Sequence, residues 1–353
     1  MIESWPLLSP ENALQLFDYA YPDENVRKFA VKCLKKATDD IINCYLLQLT
    51  QALKHEGYFQ CDLVEFLIER ALNNQHIGHQ LFWALKAEMS FPTVGLYYGL
   101  ILEAYLVAAP EHLKMLELQL SFMEKCRSTH VNVQKIEISA GRNYDKAKNR
   151  FLASTKSQFL HYSRDYGYTR NFVNPLNPRQ KCKKLLLDKC KLMNSKMRPQ
   201  MLFFDNMDVN FKPDIDPIAI MFKKGDDLRQ DRLTLQLLSV MDRLWKEDQG
   251  LDLKLNVYNC MATGVNEGLI EVITQAETIC KIQMKQADKS VLKLKSTAAL
   301  KKGLVLAWLK DHNPTNEAMK LAQQEFTKSC AGYSVATYIL GKIFMKFSIL
   351  RDC

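Results

Sequence analysis

From Ser9 to about Lys125 apolar residues recur at helical spacing almost without interruption. Ser9 and Pro10 supply a cap and a first-turn proline, Leu14 and Phe17 begin a buried stripe, and Pro22-Asp23 ends that segment and caps the next. Val26, Phe29, Ala30 and Cys33 then repeat on one helix face. Asp39 opens a segment carrying Ile42, Tyr45, Leu46, Leu49 and Leu53, and Asp62 opens another with Leu63, Phe66, Leu67 and Ala71. Ile77, Leu81, Phe82 and Leu85 follow Gln75, while Pro92 and Pro110 mark two further starts. Six or seven short helices of this kind would stack as antiparallel pairs in an α-solenoid, although no strict sequence period accompanies them.

The rhythm changes after Ser139. Gly141, Asn143, an aromatic-rich run from Phe159 to Tyr168, and the pairs Asn174-Pro175 and Asn177-Pro178 mark a boundary region extending to Gln180. Beyond it, Met201 to Phe204 and Ile218 to Phe222 are short apolar runs bounded by turn residues, as strands are. An amphipathic helix is expected next, with Leu228, Leu233, Leu235, Leu238, Val240, Met241 and Trp245 on its apolar side. Leu251 to Tyr258 alternates like a strand, Leu269 to Ile273 is a further apolar strand, and the remainder returns to helical spacing.

At 353 residues the chain exceeds what one core usually holds. Its 47% hydrophobic and 25% charged content argues against both disorder and a fibrous repeat. The ten cysteines are scattered and never form a CxxC pair, so reduced buried thiols are expected. Cys182 and Cys190 lack a nearby His, and no metal site is expected there. Met1 to Ser9 lacks a secretory pattern, and Val94 to Ala109, the most apolar stretch, carries Glu103 and is shorter than the ~20 residues that span a bilayer. A net charge of +9 favours an anionic partner without choosing among a lipid surface, a nucleotide and a nucleic acid.

The segment Ile218 to Gln236 places Lys223 at the end of a strand, followed by Gly-Asp-Asp-Leu-Arg-Gln-Asp over Gly225 to Asp231. An ammonium projecting from a sheet there could meet nucleotide phosphates. The same residues also read as a strand ending in solvated lysines, with Asp226 or Asp227 capping the helix. Arg179 to Arg198 carries eight Lys or Arg and one acid, which suits either an anionic membrane or a solvated face, and Lys281 to Lys302 invites both readings too.

Phe222-Lys223 with Gly225 to Asp231 resembles the signature of the phosphatidylinositol kinase superfamily. The resemblance implies that Lys223 contacts ATP phosphates and that Asp231 lies in the pocket beside Tyr258. Gly268 to Ile273, Gly-Leu-Ile-Glu-Val-Ile, resembles the family hinge, in which backbone groups around Glu271 and Ile273 meet the adenine edge. Cys190 to Pro199 looks like the phosphate-binding loop, with Met193 over the adenine and Ser195 near the phosphates; Gln200-Met201 stands where class I enzymes usually carry Leu-Trp. Trp5-Pro6, Pro22-Asp23, Val26 to Ala30, Tyr45 to Leu53 and Gly78 to Met89 resemble the class I helical domain in order and spacing, and Ser329 to Gly341 resembles the helix before the catalytic loop.

The resemblance therefore implies a multidomain α + α/β fold: a helical (PIK) α-solenoid over residues 1–140, a linker over 141–180, a kinase N-lobe of antiparallel sheet plus helix over 181–278, and the start of a helical C-lobe over 279–353. It implies a phosphatidylinositol 3-kinase catalytic subunit truncated at both ends, using ATP and Mg²⁺ on the inositol 3-hydroxyl. Lys342 to Cys353 stands where the family has its Asp-Arg-His-x-x-Asn loop, and an Asp-Phe-Gly motif is likewise missing. No catalytic residue and no Mg²⁺ ligand is therefore assigned, and this chain is expected to lack lipid kinase activity. A non-catalytic isoform acting through its helical surface is the alternative, as is a class II, class III or phosphatidylinositol 4-kinase fragment. Expected partners are a phosphoinositide membrane surface, bound peripherally, and a regulatory adaptor subunit, with no nucleic acid; the expected location is cytoplasmic, recruited to the inner face of the plasma membrane.

Overall fold

The computed structural model describes residues 4–160, 172–207, 216–274, 276–289, 303–341 and 350–351. It divides into two compact units, one formed by residues up to Leu233 with Asn259–Val272, the other by Thr234–Tyr258 with Ile273 onward. The aromatic run ending at Tyr168, most of the basic stretch Lys281 to Lys302, and Lys342 to Phe347 lie outside the described residues.

The first unit opens with eight helices: α1 (Pro10–Gln15), α2 (Glu24–Leu34), α3 (Asp39–Ala52), α4 (Asp62–Asn73), α5 (Gln75–Glu88), α6 (Gly95–Ala108), α7 (Pro110–Ala140) and α8 (Tyr144–Thr155). Their starts follow the side chains that can satisfy the first backbone N–H groups. The Ser9 hydroxyl accepts from the Asn12 N–H, the Asp23 carboxylate from Asn25 and Val26, and Thr38, one residue before the expected Asp39, from Ile41. Apolar faces of α3, α4 and α6 close around α5, burying Leu46, Leu49, Phe66, Leu67, Trp83 and Tyr98. Residues 141–180, expected as a linker, instead carry α8 and the first strands, because Asn143 caps a helix whose Ala147 and Phe151 find burial against α7.

Seven antiparallel strands follow: β1 (Val173–Asn174), β2 (Asn177–Leu185), β3 (Lys191–Leu192), β4 (Gln200–Asn206), β5 (Ile218–Lys224), β6 (Cys260–Gly264) and β7 (Glu267–Glu271). Their order is β1-β2-β4-β5-β7-β6, with β3 also on β4. Leu192, Gln200, Phe222, Leu269 and Met261 form one row across the sheet, and all five are buried. This face is covered by α7, whose Cys126 carbonyl accepts from the Gln200 amide at 3.0 Å. Phe122 of α7 meets Phe172 and Phe204 with ring centroids 5.1 and 6.0 Å apart. Helices and sheet thus share one continuous core.

The second unit contains most of α9 (Arg229–Gln249), then α10 (Ile279–Lys289), α11 (Leu304–His312) and α12 (Asn316–Ile339), with a two-stranded pair β8 (Ala276–Glu277) and β9 (Leu350–Arg351). Ile282, Trp308, Leu309 and Ala322 form its core. The expected strand Leu251 to Tyr258 is not one. Asp252 accepts from the Lys254 N–H, Lys254 adopts φ +54°, and no ladder forms there. Turn chemistry breaks the strand, while Leu253 and Leu255 obtain burial against Gly332 of α12 and the Asn256 carbonyl accepts from the Tyr333 hydroxyl at 3.0 Å. Among the described residues no helix is long and apolar enough to cross a membrane.

Candidate nucleotide site

Side chains alternate along a strand, so residues one place from the buried row face the other way. Met201, Met221, Ile270 and Cys260 make the adjacent row, all half-buried and all apolar or thiol. Lys223 shares their face two residues beyond Met221 and lies opposite Gly268 of β7. Its side chain is one-quarter exposed, and its ammonium is 2.7 Å from the Asp226 carboxylate. The strand end therefore offers an apolar floor beside a partly buried cation.

Glycine at 268 is dictated by packing. A Cβ there would sit 2.3 Å from the Met261 carbonyl and 2.7 Å from a Leu228 methyl. Leu228, in the middle of Gly-Asp-Asp-Leu-Arg-Gln-Asp, fills the space that Gly268 leaves, which ties the two sequence motifs together physically. Asp227 accepts the Arg229 backbone N–H at 3.0 Å and its guanidinium at 2.7 Å, an arrangement that holds the Asp227 carboxyl below its usual range and starts α9. Asp231 is exposed in the first turn of α9. Burial pushes the Cys260 thiol up to about 12, with Asp231 raising it and Arg232 and Lys223 lowering it. Asp231 and Lys223 are thus both felt at the start of β6.

The loop between β3 and β4 closes beside this strand end. The Met193 N–H bonds the Pro199 carbonyl at 2.9 Å, continuing the register that pairs Leu192 with Gln200 and Gln200 with Phe222. Met193 accordingly falls on the row of Lys223. Met193 and Ser195 are exposed. Gly225, at φ +99°, has the Met197 sulfur 2.8 Å from where a Cβ would be, so the loop rests on the first glycine of the motif. Arg198 anchors the loop from below by donating to Glu137 of α7 at 2.8 Å and to the Asn194 amide oxygen.

At the hinge, the N–H groups of Glu271 and Val272 are engaged with the Asn259 and Ala219 carbonyls at 2.8 and 3.1 Å. The Glu271 carboxylate accepts from the Asn259 side chain at 2.8 Å. An adenine edge would have to be met by other main-chain groups of this strand end. Met193, Ser195, Lys223, Asp231 and Glu271 all belong to the first unit; Tyr258 and Ile273, both half-buried, belong to the second. Gln200, where the resemblance to class I enzymes implies leucine, is fully buried toward α7, and Met201 lies on the apolar floor.

Sequence reasoning missed the ion pairs that fasten α7 under the sheet. Arg127 donates to both oxygens of the buried Glu267 at 2.9 to 3.0 Å. The partners are 140 positions apart, and the one available signal was an acid inside an apolar strand.

The helical region followed by an antiparallel sheet with helices is the arrangement of a kinase-like N-lobe preceded by a helical accessory domain. Residues 1–117 match the family model for the phosphoinositide 3-kinase accessory (PIK) domain, and residues 217–343 match that for phosphatidylinositol 3- and 4-kinases. The chain is 38% identical over 341 residues to phosphatidylinositol 3-kinase 2 of Dictyostelium discoideum and 36% identical to phosphatidylinositol 3-kinase 1 of the same organism, covering 96% and 97% of this chain. It spans 17% and 20% of those two relatives' length. The chain belongs to the phosphoinositide 3-kinase family.

Proposed function

We propose that this chain is the helical and ATP-binding portion of a class I-type phosphatidylinositol 3-kinase, which transfers the γ-phosphate of ATP to the inositol 3-hydroxyl at the inner face of the plasma membrane. The observation that carries the proposal is Lys223 on the Met201–Met221–Ile270–Cys260 face, with the Met193–Pro199 loop beside it. A flat base would rest on the apolar row, and the Lys223 ammonium would pair with phosphate oxygens as the Asp226 carboxylate gives way. Ser195 and the loop backbone would close over the phosphates, and Asp231 would face the far end of the base. The class I reading rests on the order and spacing of the helical-domain residues. A regulatory adaptor subunit and a phosphoinositide bilayer are the partners this reading brings.

Mg²⁺ neutralises phosphate charge in phosphoryl transfer. Among the described residues no three His, Cys, Asp or Glu side chains converge as a metal site requires, so its ligands are not assigned to them. The 353 residues contain neither Asp-Arg-His-x-x-Asn nor Asp-Phe-Gly. By themselves they would hold nucleotide without transferring phosphate, which favours the non-catalytic reading for the isolated polypeptide.

Displacement of a fluorescent ATP analogue by ATP tests both statements. The purified chain is expected to bind saturably, and Lys223→Met should weaken affinity at least about tenfold, or about 1.4 kcal/mol. Equal affinity in the variant would overturn the site. Incubation with Mg²⁺, ATP and phosphatidylinositol vesicles should give no sustained 3-phosphorylation, and turnover would refute the second statement.

A further inference from the structure

The face of the sheet opposite Lys223 carries a concavity. Lys224 follows Lys223 and so points the other way, toward α7, directly across from Glu267. Beyond it lies a cavity of about 640 Å³, bounded by the end of α7, Arg142, the Lys196–Arg198 part of the β3–β4 loop, and the Val265–Asn266 turn. That volume is within the range of small-molecule sites.

Its charge is unbalanced. Arg142, Lys196, Arg198 and Lys224 line it against a single carboxylate, Glu137. Glu137 is taken by Arg198 at 2.8 Å. Lys224 stands 3.7 Å from Glu267, whose two oxygens Arg127 already holds. Arg142 makes one long bond, 3.4 Å, to the Lys196 carbonyl, and both residues are exposed. Buried His130 on the same wall is held below its usual range by burial and then by the charge of Lys224. Three cations gathered in a concave site repel one another unless an anion joins them.

We infer that this cavity behind the nucleotide loop binds a small polyanion bearing two or more phosphate groups, through Arg142, Lys196 and Lys224. The phosphates could belong to a free polyphosphate or to a phosphorylated lipid headgroup; the cationic chemistry is common to both. The inference does not depend on the nucleotide site, since Lys223 points into the other face.

Titration of the full 353-residue chain with inositol hexakisphosphate, and flotation with phosphatidylcholine vesicles containing phosphatidylinositol 4,5-bisphosphate, distinguish the two sources. Saturable binding in either arm is expected, falling at least tenfold in Arg142→Glu and unchanged in Lys223→Met. Lys224→Gln supplies an independent second variant, and far-UV circular dichroism checks that each is folded. Binding to phosphatidylserine vesicles that survives Arg142→Glu would mark diffuse surface charge and overturn the proposal. So would loss of binding in Lys223→Met alone, which would place the polyanion on the nucleotide face, or absence of saturable binding in both arms. Failure of ATP binding with retained, Arg142-dependent polyanion binding would sink the nucleotide reading and leave this one standing.

Discussion

Gly268 and Leu228 make the motif near Lys223 a packing unit as much as a chemical one. Adding a methyl in Gly268→Ala would press on Leu228 and the Met261 carbonyl, and overpacking of this kind costs about 1–3 kcal/mol. Urea denaturation is expected to show that loss, together with weaker nucleotide binding as Lys223 shifts opposite. Arg127 offers a sharper test. Its removal in Arg127→Ala leaves Glu267, whose side chain is 5% exposed, with Lys224 at 3.7 Å and the Thr263 hydroxyl at 3.2 Å. An uncompensated buried charge predicts a loss of about 3 kcal/mol, and the double variant Arg127→Met/Glu267→Met should recover most of it. A single variant as stable as the parent would show that the pair contributes nothing.

At the scale of elements, α5 and α7 bring buried imidazoles together. The His79 Nε2–H donates to the Pro175 carbonyl at 2.8 Å, His112 pairs through Nδ1 with the Tyr105 hydroxyl at 2.6 Å, and their ring centroids are 5.9 Å apart. Burial holds both near a pKa of about 4, with the Pro175 carbonyl opposing that shift at His79. The unfolded chain would bind protons on both at about pH 6.5. Each neutral histidine therefore contributes stability that is fully present above about pH 6.5 and is lost as pH falls toward 4, at up to about 1.4 kcal/mol per pH unit for each. Urea midpoints measured between pH 7 and 4.5 should fall accordingly, and His79→Gln/His112→Gln should flatten the slope. An unchanged slope in that double variant would contradict the assignment.

For the whole molecule, the helical rhythm of α1 to α7 and the strands β4 and β5 were legible because each has one apolar face and capping or turn residues at its ends. Lys223, Gly225 and Gly268 came from the resemblance of their motifs to a family, whereas the close packing of Leu228 on Gly268 and of Met197 on Gly225 was not legible, because it joins residues far apart in sequence. The shared core was not, since Phe122 of α7 meets Phe172 and Phe204 across long stretches of chain. Nor was the loop at Leu251 to Tyr258, where apolar alternation is satisfied by α12 rather than by a neighbouring strand. Because α7 completes the core under the sheet, a polypeptide of residues 1–140 alone should expose Phe122 and Met123, bind a hydrophobic dye and unfold without cooperativity; a sharp two-state transition would show that the helices stand alone. The central claim, a nucleotide face around Lys223, is tested most directly by an acyl-phosphate ATP probe followed by mass spectrometry. Acylation concentrated on Lys223 and suppressed by excess ATP is the predicted result, whereas labelling spread over exposed lysines such as Lys196 and Lys191 and indifferent to ATP would contradict it.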